Sequence, residues 1–404
     1  MLAIRNVTLT VLFFIGNFFW KIYLFFKDKE VPTDVKKILI ITTAGIGNNL
    51  LLIPALKNLR KIFPKSYISV LVANSTTADI LRNIDEVNNI IIYDVSRIAK
   101  APRFMKQNYS FIRNLHREGF DLVIIPYPLQ DITTAMVAFL SGSRFRLGYS
   151  YPAGYLHNCC FLYTNCLVAG KQKHEVGMNL DLIKLFGMSD FDQEFELPIS
   201  VEEKQFAHRF FLREKLYKND FAIGIHPGSG FTQKYKRWPL EHFAELINQI
   251  SSRNCKIILF GGKEEIELFK DITKLTNVEV VNAIGKLTIM QTAAVIKKCT
   301  LFISNDSGLM HLAASVKTPT VAIFGPTNHI KNKPLGGGHV IIRKGLLCSP
   351  CHKQGLTDRN FKCKNRKCFQ LISVEDVLKA IDVQLDKIEN RRQVLKKTKC
   401  SEKL

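Results

Sequence analysis

Three turns in the second half of the chain combine residue types that hold anions. Ile225-His226-Pro227-Gly228-Ser229-Gly230 is followed closely by Lys234, Lys236, Arg237 and Trp238. Glycines and small hydroxyl residues expose backbone N–H groups at a strand end, and with cations so near the combination suits a diphosphate. Ser304-Asn305-Asp306-Ser307-Gly308 leads into Met310-His311-Leu312-Ala313-Ala314, a strand end turning into a helix whose first turn favours negative charge. There Ser307 and Gly308 can face an anionic group while Asp306 accepts hydrogen bonds from sugar or ribose hydroxyls. Phe324-Gly325-Pro326-Thr327 ends a further strand and can present Thr327 to the same pocket. Each piece also has an ordinary use: Lys234 as a surface cation, Asp306 or Ser307 as a helix cap, His311 as a buried histidine. Three such ends in one half outweigh any single one and mark it as a nucleotide-binding half.

The first half offers one comparable turn, Ala44-Gly45-Ile46-Gly47-Asn48-Asn49. Glycine permits close approach of a ligand to the backbone. The turn lacks the Lys-Ser/Thr of a P-loop and the third Gly of a dinucleotide fingerprint, so ATPase or NAD chemistry is poorly supported. Cys348, Cys351, Cys363 and Cys368 form a cluster whose spacing permits a structural tetrahedral zinc or iron site, although the second pair is wider than usual; structural metal or reversible thiol pairing competes evenly with free thiols, and a catalytic metal is not expected. The 10 cysteines are too few for a disulfide scaffold, and several fall in apolar runs, which reads as a reducing compartment.

These residues need elements to carry them. Val35–Ile41 reads as a strand and Leu50–Ile62 as a helix, by apolar spacing of three and four. Further strands are predicted at Tyr67–Val72, Asn89–Tyr93 and Asp121–Ile125, with helices at Tyr109–Glu118 and Thr133–Leu140. After a connecting stretch, Asp190–Val201, the alternation restarts: strand Phe221–His226, helix Leu240–Ser251, and strands Lys256–Phe260, Leu301–Ser304 and Thr320–Phe324. Alternation of this kind predicts two α/β halves, each a parallel sheet flanked by helices, and a length of 404 residues also predicts more than one core. The expected divisions are an anchor over 1–30, an N-terminal Rossmann-like domain over 31–195, a C-terminal Rossmann-like domain carrying the Cys cluster over 196–385, and a basic tail over 386–404.

Leu9–Phe26 is an apolar, aromatic run broken by Asn17 and Lys21 and ended by Lys27-Asp28-Lys29. It lacks the small residues of a cleavage site and is read as a retained membrane-associated helix, spanning or interfacial. The net charge of +22 implies an anionic partner. With no zinc-finger spacing, RNP motif or basic–aromatic strand, a specific nucleic acid is not that partner. Phosphorylated substrates and an anionic membrane surface both fit the charge, and with the anchor the expected location is the cytoplasmic face of the inner membrane.

IHPGSG…KRWPLEHFAEL, ISNDSGLMHLAA, VAIFGPT, IGNNLLLIPALKNLRKIFP and KHEVGMNLDLIKLFG together resemble glycosyltransferase family nine, the heptosyltransferases of lipopolysaccharide core synthesis. The resemblance implies a GT-B type α/β fold, two Rossmann-like domains facing a central cleft. It also implies an inverting, metal-independent transfer from a nucleotide-sugar donor, usually ADP-heptose, to a lipid-linked saccharide acceptor, with no cofactor required. By motif, Lys236 falls on a donor-phosphate lysine, Asp306, Ser307, Gly308 and His311 on the donor-binding turn, and Gly325 and Thr327 on the last nucleotide turn. His226, Gly228 and Ser229 complete the donor set, and Gly45, Gly47 and Asn48 form the acceptor-side turn.

At one position the chain departs from the family. Where the resemblance implies an Asp acting as base, the chain has Asn48, and an amide cannot take a proton. His226, Asp131 and His311 are the candidate substitutes. A catalytically degenerate membrane-bound nucleotide-sugar or saccharide binding protein is the alternative reading.

Overall fold

The structure is a computed structural model that describes residues 32–100, 105–129, 131–150, 159–170, 172–216, 221–230, 232–253, 255–351, 358 and 361–401. The expected N-terminal helix lies outside them. Among the described residues no helix is long and apolar enough to cross a membrane. The chain divides between Glu194 and Phe195 into two compact units.

In the first unit, β1 (Lys37–Thr42), β2 (Tyr67–Val72), β3 (Asn89–Ile92), β4 (Leu122–Ile124), β5 (Phe145–Ser150) and β6 (Asn165–Val168) form one sheet in the order β3-β2-β1-β4-β5-β6. Every pairing is parallel. Ile38 to Ile41 are all buried, as a continuous apolar strand must be when both sheet faces are covered. The pattern read as one helix over Leu50–Ile62 is two, Ile46–Leu50 and Ile53–Ile62. Pro54, in the first turn of the second, has no N–H to continue an earlier helix and fits a helix start. β5 and β6 escaped the sequence reading because Arg146, Gly148 and Asn165 interrupt their apolar runs. Cys160 is disulfide-bonded to Cys166 of β6, a departure from the thiols expected of a reducing compartment.

The second unit repeats the plan with β7 (Phe221–His226), β8 (Cys255–Leu259), β9 (Val281–Asn282), β10 (Leu301–Asn305), β11 (Thr320–Ile323) and β12 (His339–Ile342), in the order β12-β11-β10-β7-β8-β9. Its core joins Ile223, Ile225, Ile303 and Val321 of the sheet to Trp238, Phe243 and Ile247, each large side chain contributing about 1.5–3 kcal/mol by leaving water. Trp238 is anchored as well as buried, because its Nε1–H donates to the Ile372 carbonyl at 3.0 Å. The helix Val374–Ser401 closes the unit and runs through most of the stretch set apart as a basic tail.

Both sheets reverse direction at their first strand, between β1 and β4 and between β7 and β10. In open α/β sheets a ligand binds beyond the carboxyl ends of the strands at such a point. The turns after β1, β7 and β10 are therefore where function is sought.

Candidate functional site

In the second unit the β7–β10 register sets Ser304 opposite His226, so both strands end at one level. Asn305, fully buried, ties the turns together. Its Nδ2 donates to the carbonyls of Pro227 at 2.9 Å and Gly228 at 3.0 Å, and its Oδ1 accepts the Trp238 N–H at 3.0 Å. The turn after β7 thus has little freedom to move relative to the end of β10.

Below that turn lies Glu265, just after β8, which the sequence reading did not single out. It accepts the Ser229 N–H at 2.9 Å and the Gly262 N–H at 3.0 Å, faces His226 Nε2 at 3.1 Å and pairs with Arg237 at 3.3 Å. Burial would push its carboxyl up, but the His226 charge and hydrogen bond, the Gly262 N–H and Arg237 outweigh that and hold it below the usual carboxylate range. Gly228 has to be glycine: a Cβ there would stand 1.8 Å from Glu265 Oε1. The available signal was Glu264-Glu265 following Gly261-Gly262 at a strand end, an acidic pair where a charge can face a turn.

His226 is 3% exposed and engaged at both nitrogens. Nε2 lies 3.1 Å from Glu265 Oε2 and Nδ1 lies 2.9 Å from the Ser307 hydroxyl. Ser307 also caps the helix Gly308–Ser315, accepting from the Met310 N–H at 3.4 Å. Gly308 and Leu309 are half-buried residues at that helix start, where first-turn N–H groups have no intrahelical partner.

Beside them Lys236 Nζ sits 3.4 Å from Asp306 Oδ2, its side chain 12% exposed. Burial raises the Asp306 carboxyl, and Lys236 and His311 together more than reverse this, so it stays ionised well below its usual range. Asp306 Oδ2 is buried with the Lys236 ammonium as its ion-pair partner, and the Thr327 hydroxyl is buried beside the same carboxylate. Gly325 also has a packing requirement: a Cβ there would meet the Phe369 ring at 2.4 Å. Lys234 is exposed. The structure therefore brings together His226, Gly228, Ser229, Lys236, Asp306, Ser307, Gly308, His311 and Thr327.

The Cys-rich segment leans on this region, with the Cys351 N–H donating to the Pro326 carbonyl at 3.0 Å. Cys348, Cys351 and Cys363 are exposed and Cys368 is buried. Burial pushes the Cys368 thiol up to about 11, the neighbouring thiols adding to the effect. Among the described residues no three His, Cys, Asp or Glu side chains are grouped to hold a metal ion, so the metal reading of this cluster finds no support.

In the first unit the turn after β1 is pinned by Asn49, whose Nδ2 donates to the carbonyls of Ala44 and Gly45 at 2.9 and 3.1 Å and whose Oδ1 accepts from Thr42 at 3.1 Å. Asn48 points the other way. Its Nδ2 lies 2.7 and 2.9 Å from the two carboxylate oxygens of Glu175, the first residue of the helix Glu175–Lys184. Of the residues considered as substitutes for the missing acid, Asp131 spends both oxygens on Thr134, its N–H at 2.8 Å and its hydroxyl at 2.6 Å, while His226 and His311 are buried components of the second unit. Glu175 was quoted only within a longer motif; no spacing in the sequence links it to Asn48.

The sequence pattern of Glycosyltransferase family 9 (heptosyltransferase) matches residues 108–361. The lipooligosaccharide heptosyltransferase 2 of Haemophilus ducreyi is 28% identical over 322 residues, covering 76% of this chain and 88% of that one. The lipopolysaccharide heptosyltransferase 2 of Escherichia coli K12 is 26% identical over 317 residues, with the same coverage of 76% and 88%. Among solved structures, a family 9 glycosyl transferase from Veillonella parvula superposes with a TM-score of 0.71 at 23% identity, over 89% of this chain and all (100%) of that one. E. coli ADP-heptose lps heptosyltransferase II gives 0.69 at 23% identity, over 87% and 99%. With the family pattern spanning more than half of its length, this chain belongs to glycosyltransferase family 9, the heptosyltransferases, and is a glycosyltransferase.

Proposed function

We propose that the enzyme transfers a heptose from a nucleotide-sugar donor, ADP-heptose, to a lipopolysaccharide-core or related lipid-linked acceptor, with inversion and without a metal. The observation that carries the reading is the Lys236–Asp306 pair at the start of the helix Gly308–Ser315. A leaving diphosphate gains negative charge as the sugar–phosphate bond breaks. Lys236 and the first-turn N–H groups of that helix meet this charge with fixed positive ends, a form of stabilisation that needs no reorganisation during the reaction. The Asp306 carboxylate and the Thr327 hydroxyl, buried beside Lys236, suit sugar or ribose hydroxyls as further hydrogen-bond partners.

Relatives named as lipooligosaccharide and lipopolysaccharide heptosyltransferases support heptose and a core saccharide as the substrates. Resemblance along most of the chain favours a working transferase over a degenerate binding protein. The apolar run Leu9–Phe26 and the net charge of +22 support attachment to an anionic membrane at its cytoplasmic face; truncating residues 1–30 should release the protein from washed membranes, and retention would count against the attachment.

Calorimetric titration of the detergent-solubilised full chain with ADP, GDP, UDP and ADP-heptose tests the donor. Selective binding of the adenine compounds, weakened by at least about tenfold in Lys236→Ala, is expected, because a charge-assisted phosphate contact is worth ~1.5–3 kcal/mol. Failure to bind any nucleotide would sink the reading.

A further inference from the structure

We propose that Glu175 is the carboxylate that takes the proton of the acceptor hydroxyl. The inference rests on the transferase reading and supplies a proton acceptor that the turn after β1 lacks.

Transfer to a hydroxyl requires its proton to go somewhere, and a sugar hydroxyl is too weak an acid to release it unaided. The turn after β1 stands at the switch point of its sheet, where a ligand is expected. Its half-buried side chain, Asn48, is an amide with no protonatable lone pair at working pH. The carboxylate in contact with that amide is Glu175, at 2.7 and 2.9 Å. It is 2% exposed and opens a helix whose N-terminus favours negative charge. Both sides of the contact are held rigidly. Asn49 pins the turn. The helix is fixed by Asn179, which accepts the Tyr127 N–H at 2.9 Å, and by Tyr149, whose hydroxyl donates to the Met178 carbonyl. Asn48 and Glu175 thus form one unit in which the amide holds and the carboxylate bears the charge.

In the reaction the acceptor hydroxyl takes the place of one of the two Asn48 contacts on Glu175. As the acceptor oxygen bonds to the anomeric carbon, its proton passes to a Glu175 oxygen. The bond from the anomeric carbon to the phosphate oxygen breaks, and the electron pair leaves with the nucleoside diphosphate. The other Asn48 contact keeps the carboxylate oriented throughout.

The test is heptose transfer by the full chain, from ADP-heptose to a core-truncated lipopolysaccharide, with Glu175→Gln and the exchange variant Asn48→Asp/Glu175→Gln. The exchange keeps the hydrogen bond between the two positions and moves the carboxylate back into the turn. Glu175→Gln should lower kcat by about 10²- to 10⁴-fold, with ADP binding and the circular dichroism spectrum unchanged, and the exchange should recover at least roughly tenfold of the loss. An active wild type with Glu175→Gln within about threefold of it overturns the assignment. So does a loss in Glu175→Gln that the folded exchange variant does not recover, which would make Glu175 a structural support for the turn. A wild type that binds ADP yet transfers nothing would sink the transferase reading itself, and the assignment with it.

Discussion

The turn after β1 and the turns after β7 and β10 sit at equivalent points of two sheets wound the same way, yet they are built from different materials. In the second unit Lys236, Arg237, Glu265 and Asp306 are mostly or wholly buried and paired, and Asn305 and Ser307 stitch the loops around them. In the first unit the turn is neutral and is held by amide hydrogen bonds from Asn49, with the Glu175 carboxylate against Asn48. A cradle of buried, pre-oriented charge suits a ligand that is itself charged and becomes more so as it reacts. A neutral turn with a single carboxylate suits an uncharged hydroxyl. Under the proposed function, the turn in each unit is suited to a different substrate of the transfer.

Removing a charge from the second unit should therefore cost more than any change in the first turn except one at Glu175. Asp306→Ala leaves Lys236 without its partner, and a loss of about 10²- to 10³-fold in kcat/KM is expected, in line with the ~2–5 kcal/mol typical of truncating one side of a buried charge pair. Steady-state kinetics check this, and a variant within about threefold of wild type would break the contrast between the two turns.

Glu265→Gln acts on stability. It leaves Arg237 and His226 without their counter-charge and turns an amide toward the N–H groups of Ser229 and Gly262, so a loss of about 3 kcal/mol is expected in urea unfolding of the second unit. Because the folded state holds the Glu265 carboxyl below its ordinary range, its contribution is complete above the unfolded value of about 4.3 and disappears as pH falls through the folded value. Wild type should accordingly lose stability below about pH 4 more steeply than Glu265→Gln.

How much of this could be read in the sequence follows from how far apart the partners lie along the chain. The turns after β7 and β10 were legible because each packs its chemistry into a few consecutive residues after an apolar strand, and the helix at Leu240–Ser251 was legible because its spacing is regular. Glu265 and Glu175 were not: each meets its partner only through tertiary folding, Glu265 some 36 residues from Ser229 and Glu175 some 127 from Asn48. The packing requirement at Gly325 was not legible either, because Phe369, the ring that demands it, is remote in sequence. Strands β5 and β6 were missed because polar residues interrupt their runs, and only the neighbouring strands reveal them as part of a buried sheet.

The smallest effect sharpens the comparison from the other side. Asn49 is fully buried and supplies three hydrogen bonds to the first turn and to Thr42. Asn49→Ala removes them together and takes the Asn49 donor from the part-buried Ala44 carbonyl. A typical buried hydrogen bond contributes about 1 kcal/mol net, and an unsatisfied buried group costs roughly 1–3 kcal/mol, so the first unit should lose about 2 kcal/mol in urea unfolding. Nucleotide affinity should stay as in wild type, since no charge is touched. Kinetically the turn would be free to sample other conformations, so Asn48 and Glu175 would hold the acceptor less well, and KM for the acceptor should rise before kcat falls. If nucleotide affinity fell instead, the division of labour between a neutral turn for a hydroxyl and a charged cradle for a diphosphate would have to be abandoned.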